Sequence, residues 1–255
     1  MDVFHTPLLE CFRRDDVARD VRLSAAQGTI APRPIEQLAL LMLLCGDRDE
    51  EVQRTAEATL AGIPPDSIAA VIARVDAPGE LRAFFEQRGI TPAEAPHAVD
   101  VPLVDEDTTD YGTEPKTESE KLSMLQQLSL MTVPQKVKAA MKGTREMRAV
   151  LIRDPNKLIS LSVLSSPKLT ETEVEAFART GSIAEDVIRT IARTRTWMKH
   201  YGVVHALAKN AKTPVAISMP LLSRLTEADV KRLSTDRNVP EPLRIAARRR
   251  IVENR

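Results

Sequence analysis

From Thr170 to Val187 the chain reads TETEVEAFARTGSIAEDV, and from Thr226 to Leu243 it reads TEADVKRLSTDRNVPEPL, 56 residues on with no gap needed to align them. Val174 matches Val230, Phe177 matches Leu233, and Leu151 and Leu207 hold a third matched place. The period halves. Steps of 28 give Asp154, Ser182, Asn210 and Asn238, all residue types that favour helix N-caps. Five places beyond each stand Ile159, Val187, Val215 and Leu243, and four further on Val163, Ile191, Met219 and Ala247. A polar cap followed by two apolar residues one turn apart predicts a single buried helix face, written four times. Helix pairs of this size cannot bury both faces alone. Each is therefore expected to stack on its neighbours, giving an all-α fold whose back half is a short α-solenoid of 28-residue units.

The front of the chain follows the same helical grammar. Pro34 suits the first turn of a helix through Leu44, and Gly46 breaks it. Asp47 or Asp49 can cap the next helix, with Val52, Ala56, Thr59 and Leu60 as its buried stripe, until Pro64 and Pro65 stop it. Ile68, Val71, Ile72 and Val75 make a further stripe, which Pro78 and Gly79 separate from Leu81, Phe84 and Phe85. Residues 1–90 thus read as a small helical domain.

Residues 91–118 carry one short apolar patch, Val99, Val101, Leu103 and Val104, among prolines and acids, with no helical period. This composition cannot offset the entropy of ordering, so the segment reads as a flexible acidic linker unless it docks. After it, Thr117 and Glu120 form a capping box that opens a helix with Leu122, Leu125, Leu128 and Met131, and Pro134 begins another with Val137 and Met141 that Gly143 closes. The back domain is expected to span 119–255, with the helix of Leu122 either capping the open end of the stack or serving as a detachable interaction helix.

Two stretches carry a family resemblance. Asp47-x-Asp49-x-x-Val52-x-x-x-Ala56-x-x-x-Leu60 resembles the second helix of HEAT-like repeats, over about one and a half repeats, with Gln53 where a basic residue often follows the valine and Arg54 one place later. The loops Arg153-Asp-Pro-Asn-Lys157, Ser166-Pro-Lys-Leu-Thr170 and Asn210-Ala-Lys-Thr-Pro214 look like the connections in leucine-rich-repeat-variant and HEAT-like bacterial proteins, over roughly 145–250. The resemblance implies a binding scaffold. The iron-sulfur members of that group carry a cysteine cluster that this chain lacks, so no cofactor is carried over.

Composition narrows the chemistry. Aromatic residues make up 3% of the chain, so the interior must be aliphatic and helix-on-helix. Cys11 and Cys45 have neither CxxC spacing nor a disulfide count, and read as buried thiols. No run of about 18 apolar residues and no signal-like start are present, which predicts a cytoplasmic chain without a membrane span. No glycine motif for phosphate or nucleophile-elbow chemistry occurs, and His200 and His205 lie about 140° apart on a helix, unsuited to a shared metal. The carboxylates Asp47, Asp49, Glu50 and Glu51 read as a cap and its favourable charge. No catalytic, cofactor or metal residue is expected, nor a small-molecule substrate.

Charge is what remains. Residues 1–90 carry 10 Lys+Arg against 15 Asp+Glu, 91–118 carry 1 against 8, and 134–255 carry 24 against 12, so a neutral total conceals an acidic front and a basic back. Arg189, Arg193, Arg195, Lys199, His200, Lys209, Lys212, Arg248, Arg249 and Arg250 are the candidate contacts, with Trp197 and Tyr201 among them. Trp197 falls where Leu169 and Leu225 fall one unit away, a place that packs inward. The expectation is a non-enzymatic adaptor for a protein partner, with nucleic acid as the alternative ligand of the basic surface. Asp105, Glu106, Asp107 and Asp110 are expected to cover that surface until a partner displaces them.

Overall fold

The computed structural model describes residues 6–14, 16–93, 102–104, 111–112 and 117–253. The described residues form sixteen α-helices, two short 3-10 turns and no strand. They cluster into two units: 1–148 with 165–168, and 149–164 with 169–255. The division cuts a helix after Arg148, so the chain passes between units three times.

The front unit holds α1 (Pro7–Arg13), α2 (Arg19–Ala26), α3 (Pro34–Leu44), α4 (Glu50–Gly62), α5 (Pro65–Ile72), α6 (Gly79–Glu86), α7 (Glu118–Leu130) and α8 (Val133–Lys142). Pro34 opens α3, as its fixed φ and missing N–H suit a first turn. Nine of the helix's eleven residues are buried, and α1, α2, α4, α5 and α6 all pack against it. A helix that is apolar all round belongs at a centre, and this one is the centre. Asp49 caps α4, accepting from the N–H groups of Glu51 and Val52 at 3.0 and 3.3 Å, and Val52, Ala56 and Leu60 are buried while Thr59 is half-buried. Val75 is fully exposed, because α5 ends at Ile72 and the stripe expected to include it has left the helix.

The capping box of Thr117 and Glu120 starts α7. Met124 and Leu128 are its buried residues, whereas Leu122, Leu125 and Leu130 face solvent, so the expected stripe through Leu122 and Leu125 is rotated. Residues spaced strictly by three drift backward around a helix of 3.6 residues per turn, and an i, i+4 pair stays on one side better. α8 packs on α2, so α7 and α8 group with the front unit although the sequence reading places them at the start of the back domain. Gly143 ends α8, and a Cβ there would meet the Ala139 carbonyl oxygen at 2.3 Å.

α9 (Arg145–Leu151) and α10 (Lys157–Ser165) straddle the division. The back unit continues with α11 (Glu171–Arg179), α12 (Glu185–Arg193), α13 (Tyr201–Lys209), α14 (Val215–Leu221), α15 (Glu227–Leu233) and α16 (Glu241–Glu253), with 3-10 turns at Trp197–Lys199 and Leu222–Arg224. The quoted stretches begin α11 and α15: Thr170 and Thr226 each cap a helix, accepting from the N–H three residues on at 3.4 and 3.3 Å. α11 and α15 start 56 residues apart, as do α12 and α16 and also α9 and α13; α10 and α14 start 58 apart.

That two-residue excess corrects the sequence reading at α14. Ile159, Val187 and Leu243 are buried as expected, as are Val163, Ile191 and Ala247, but Val215 and Met219 are 37% and 40% exposed. Proline disfavours helical backbone at the residue before it, so Pro214 keeps Thr213 out of the helix and α14 starts at Val215. Buried Thr213 then takes the place two residues before the helix that buried Ile183 and Val239 take. The buried face of α14 becomes Ser218 and Leu221. The expected caps also differ: Ala184 and Pro214 hold the N-cap positions of α12 and α14, and Asn156 rather than Asp154 receives the Leu158 N–H of α10, at 2.9 Å.

α11 packs on α13, and side-chain contacts tie α13 to α15 at both ends. At the starts, His200 pairs with Glu171 at 2.7 Å, and the Thr226 N–H donates to the Tyr201 hydroxyl oxygen at 3.1 Å. At the ends, the buried Asn210 amide donates to the Ala178 and Thr180 carbonyls at 2.8 and 3.1 Å, and Lys209 lies 3.9 Å from Asp236.

Candidate recognition surface of the back unit

The ten candidate cations separate by their partners. Arg189 is closed by Glu185 one turn earlier on α12, His200 by Glu171, and Lys209 by Asp236. Arg248 donates to the Ser234 carbonyl at 3.1 Å and Arg250 to the Ser223 carbonyl at 3.4 Å. Arg193, Arg195, Lys199, Lys212 and Arg249 are exposed and have no carboxylate partner among the described residues. Trp197 is half-buried in its 3-10 turn, less enclosed than Leu225, its counterpart one unit later, which is 7% exposed.

The face of α16 carries a different signal. Ile245, Arg248, Arg249 and Val252 recur at i, i+3, i+4 and i+7, so they share one side of the helix. Ile245 and Val252 are 48% and 72% exposed. α14, which packs on α16, leaves Val215 and Met219 exposed on one of its own faces.

Tyr201, His205 and Asp229 form a polar group. The Tyr201 hydroxyl donates to the Asp229 carboxylate, whose Oδ2 also accepts from the Thr226 hydroxyl at 2.9 Å, while His205 stacks on the Tyr201 ring and sits 3.7 Å from Asp229 Oδ1. These donors, Tyr201 first and Thr226 next, hold the Asp229 carboxyl below the usual aspartate range. The group closes the N-terminus of α15 and ties α13 to it. His200 and His205 face different carboxylates.

Elsewhere, Asp47 pairs at 3.0 Å with Arg22, both nearly buried, and Asp49 and Glu51 both meet Arg19, so the acidic cluster of the front unit is neutralised around a helix cap. Among the described residues no three His, Cys, Asp or Glu gather to hold a metal, and no helix is long and apolar enough to cross a membrane. Cys11 and Cys45 are buried thiols, and burial pushes the Cys45 thiol up. Asp105, Glu106, Asp107 and Asp110, expected to cover the basic surface, lie outside the described residues.

One contact escaped the sequence reading. Within the apolar run of α3, Gln37 is 1% exposed and its amide grips the main chain of Leu103 and Val104. The available signal was a polar Glu-Gln pair inside a helix otherwise apolar on every side. Compared with protein-family models, curated proteins and solved structures, the chain matches none.

Proposed function

We propose that the protein is a non-enzymatic scaffold whose back unit stacks its helix pairs in a HEAT-like solenoid and binds a protein partner along α14 and α16. The packing of α11 on α13 and the side-chain ties from α13 to α15 support the stacking. The observation that carries the function is the α16 face, where Arg248 and Arg249 lie between the exposed Ile245 and Val252. Apolar anchors beside arginine suit a protein surface that offers its own apolar residues and carboxylates. Phosphate backbone asks only for the charge. A photo-crosslinking residue placed at Ile245 or at Arg249 in the native cell is expected to give one discrete protein adduct, lost when Val252 is changed to Asp. No adduct at either position overturns the reading.

A second reading, nucleic-acid binding, has one observation behind it: Arg193, Arg195 and Lys199 stand within seven residues without a carboxylate partner among those described. It predicts an affinity for generic RNA or DNA that falls about tenfold or more between 50 and 200 mM salt. No binding at 50 mM removes it.

A further inference from the structure

The front unit contains a side chain that reads a backbone. Gln37 Oε1 accepts from the consecutive N–H groups of Leu103 and Val104 at 2.7 and 3.2 Å, a concave pair of donors closing on one oxygen. Its Nε2 donates to the Val104 carbonyl at 2.7 Å and to the Gly28 carbonyl at 2.5 Å. Two donor hydrogens and two acceptor lone pairs are all a glutamine amide has, and all four are used. Three of them go to main-chain atoms of residues 103 and 104, so the side chains there are read only by shape.

Gly28 supplies the shape. Its φ of +76° lies in the left-handed region, and a Cβ there would stand 3.0 Å from Val104 Cβ and 3.2 Å from Val104 Cγ1. Val104 therefore sits in a place only glycine leaves open. Leu103 and Val104 are themselves half-buried, and beside them runs a cavity of about 730 Å3 walled by Arg54, Thr55, Ala58 and Thr59 of α4. The seated dipeptide forms one wall of this cleft rather than filling it. In the sequence Pro102 precedes it and Asp105, Glu106 and Asp107 follow it.

We propose that Gln37 and Gly28 form a peptide receptor for a bent Pro-Leu-Val segment, that the chain's own residues 102–104 are its resident ligand, and that a free peptide of this sequence exchanges with them. The site is built from front-unit residues and uses none of α14 or α16, so it stands or falls separately from the partner surface proposed above. A tethered ligand competes at high effective concentration. Exchange is consequently weak in the intact chain and strong once the resident segment is disabled.

The test uses a fluorescent peptide of residues 98–107, AVDVPLVDED, titrated by anisotropy into the full chain and into a full-chain variant with Leu103→Asp and Val104→Asp. The variant is expected to bind about tenfold or more tighter than the natural chain, and Gln37→Glu added to it abolishes binding. A folded variant that ignores the peptide, or a natural chain that binds it equally well, overturns the proposal. Should the variant fail to fold, hydrogen exchange in the natural chain decides. Excess unlabelled peptide is expected to speed exchange of the Leu103 and Val104 amides, and unchanged rates overturn the proposal.

Discussion

Glu36 stands beside Gln37 in the first turn of α3 with no exposure at all. Thr6, the cap of α1, donates to its Oε1 at 2.5 Å, while Oε2 has no hydrogen-bond partner among the described residues. Burial raises the pKa of this carboxyl above the ordinary glutamate value, against the smaller opposing effects of Thr6 and Arg33. Folding thus favours the protonated acid. That contribution is complete below the unfolded pKa and disappears as pH climbs through the raised folded one. Glu36→Gln keeps an acceptor for Thr6 and removes the buried charge, so it is expected to stabilise the chain by about 1–3 kcal/mol at pH 8. In urea titrations the gain should shrink towards zero near pH 4; a pH-independent difference contradicts this account. Asp229 has the opposite sign. Its pKa is lowered by Tyr201 and Thr226, so its contribution is present above the ordinary aspartate value and is lost as pH falls through the folded one. Carbon NMR should show the Asp229 carboxyl titrating at higher pH in Tyr201→Phe than in the natural chain, and an unchanged midpoint removes the tyrosine from that role.

At the scale of the helix, α14 separates two alignments. Alignment without gaps places Val215 and Met219 in the interior, whereas the two-residue shift places Leu221 there, at 5% exposure. Leu221→Ala is expected to cost about 2–4 kcal/mol, and Met219→Ala less than about 0.5. Equal losses in denaturant unfolding contradict the shifted register. The same helix shows what sequence could yield. Starts were legible at Pro34, Asp49 and Thr117, because a cap is written by residues within a turn of the helix it opens. The face of α14 was not, because a local effect of Pro214 moved its start while the period around it continued. In α7 the leucines alone did not reveal which side is covered, since both of its sides are apolar. The Gln37 contact left no periodic trace, as a side chain that bonds main-chain atoms sets no pattern in the segment it holds. Of the candidate surface, the basic residues were legible as a list. Their pairing with Glu171, Glu185 and Asp236 depends on helices that meet only after folding, apart from the one-turn pair of Arg189.

For the molecule as a whole, the two units cannot be separated by one cut. Residues 165–168 belong to the front unit, where the Ser165 hydroxyl accepts from the Leu8 N–H at 3.2 Å and the Ser166 hydroxyl donates to the Met141 carbonyl at 2.8 Å. Residues 149–164 between them belong to the back unit and bury Leu151, Ile152, Leu158, Ile159, Leu161, Val163 and Leu164. A fragment of residues 1–148 lacks those two serines; one of residues 1–168 leaves the seven aliphatics without the rest of the back unit. Neither is expected to match the cooperativity or midpoint of the full chain in thermal unfolding. A 1–148 fragment that melts as sharply and as high as the intact protein disproves the interleaving. The crossing also bears on synthesis. As the chain leaves the ribosome, the front half waits for its last four residues until α10 has emerged with its apolar side bare. The two halves must then mature together, and until they do those aliphatic side chains stay open to solvent.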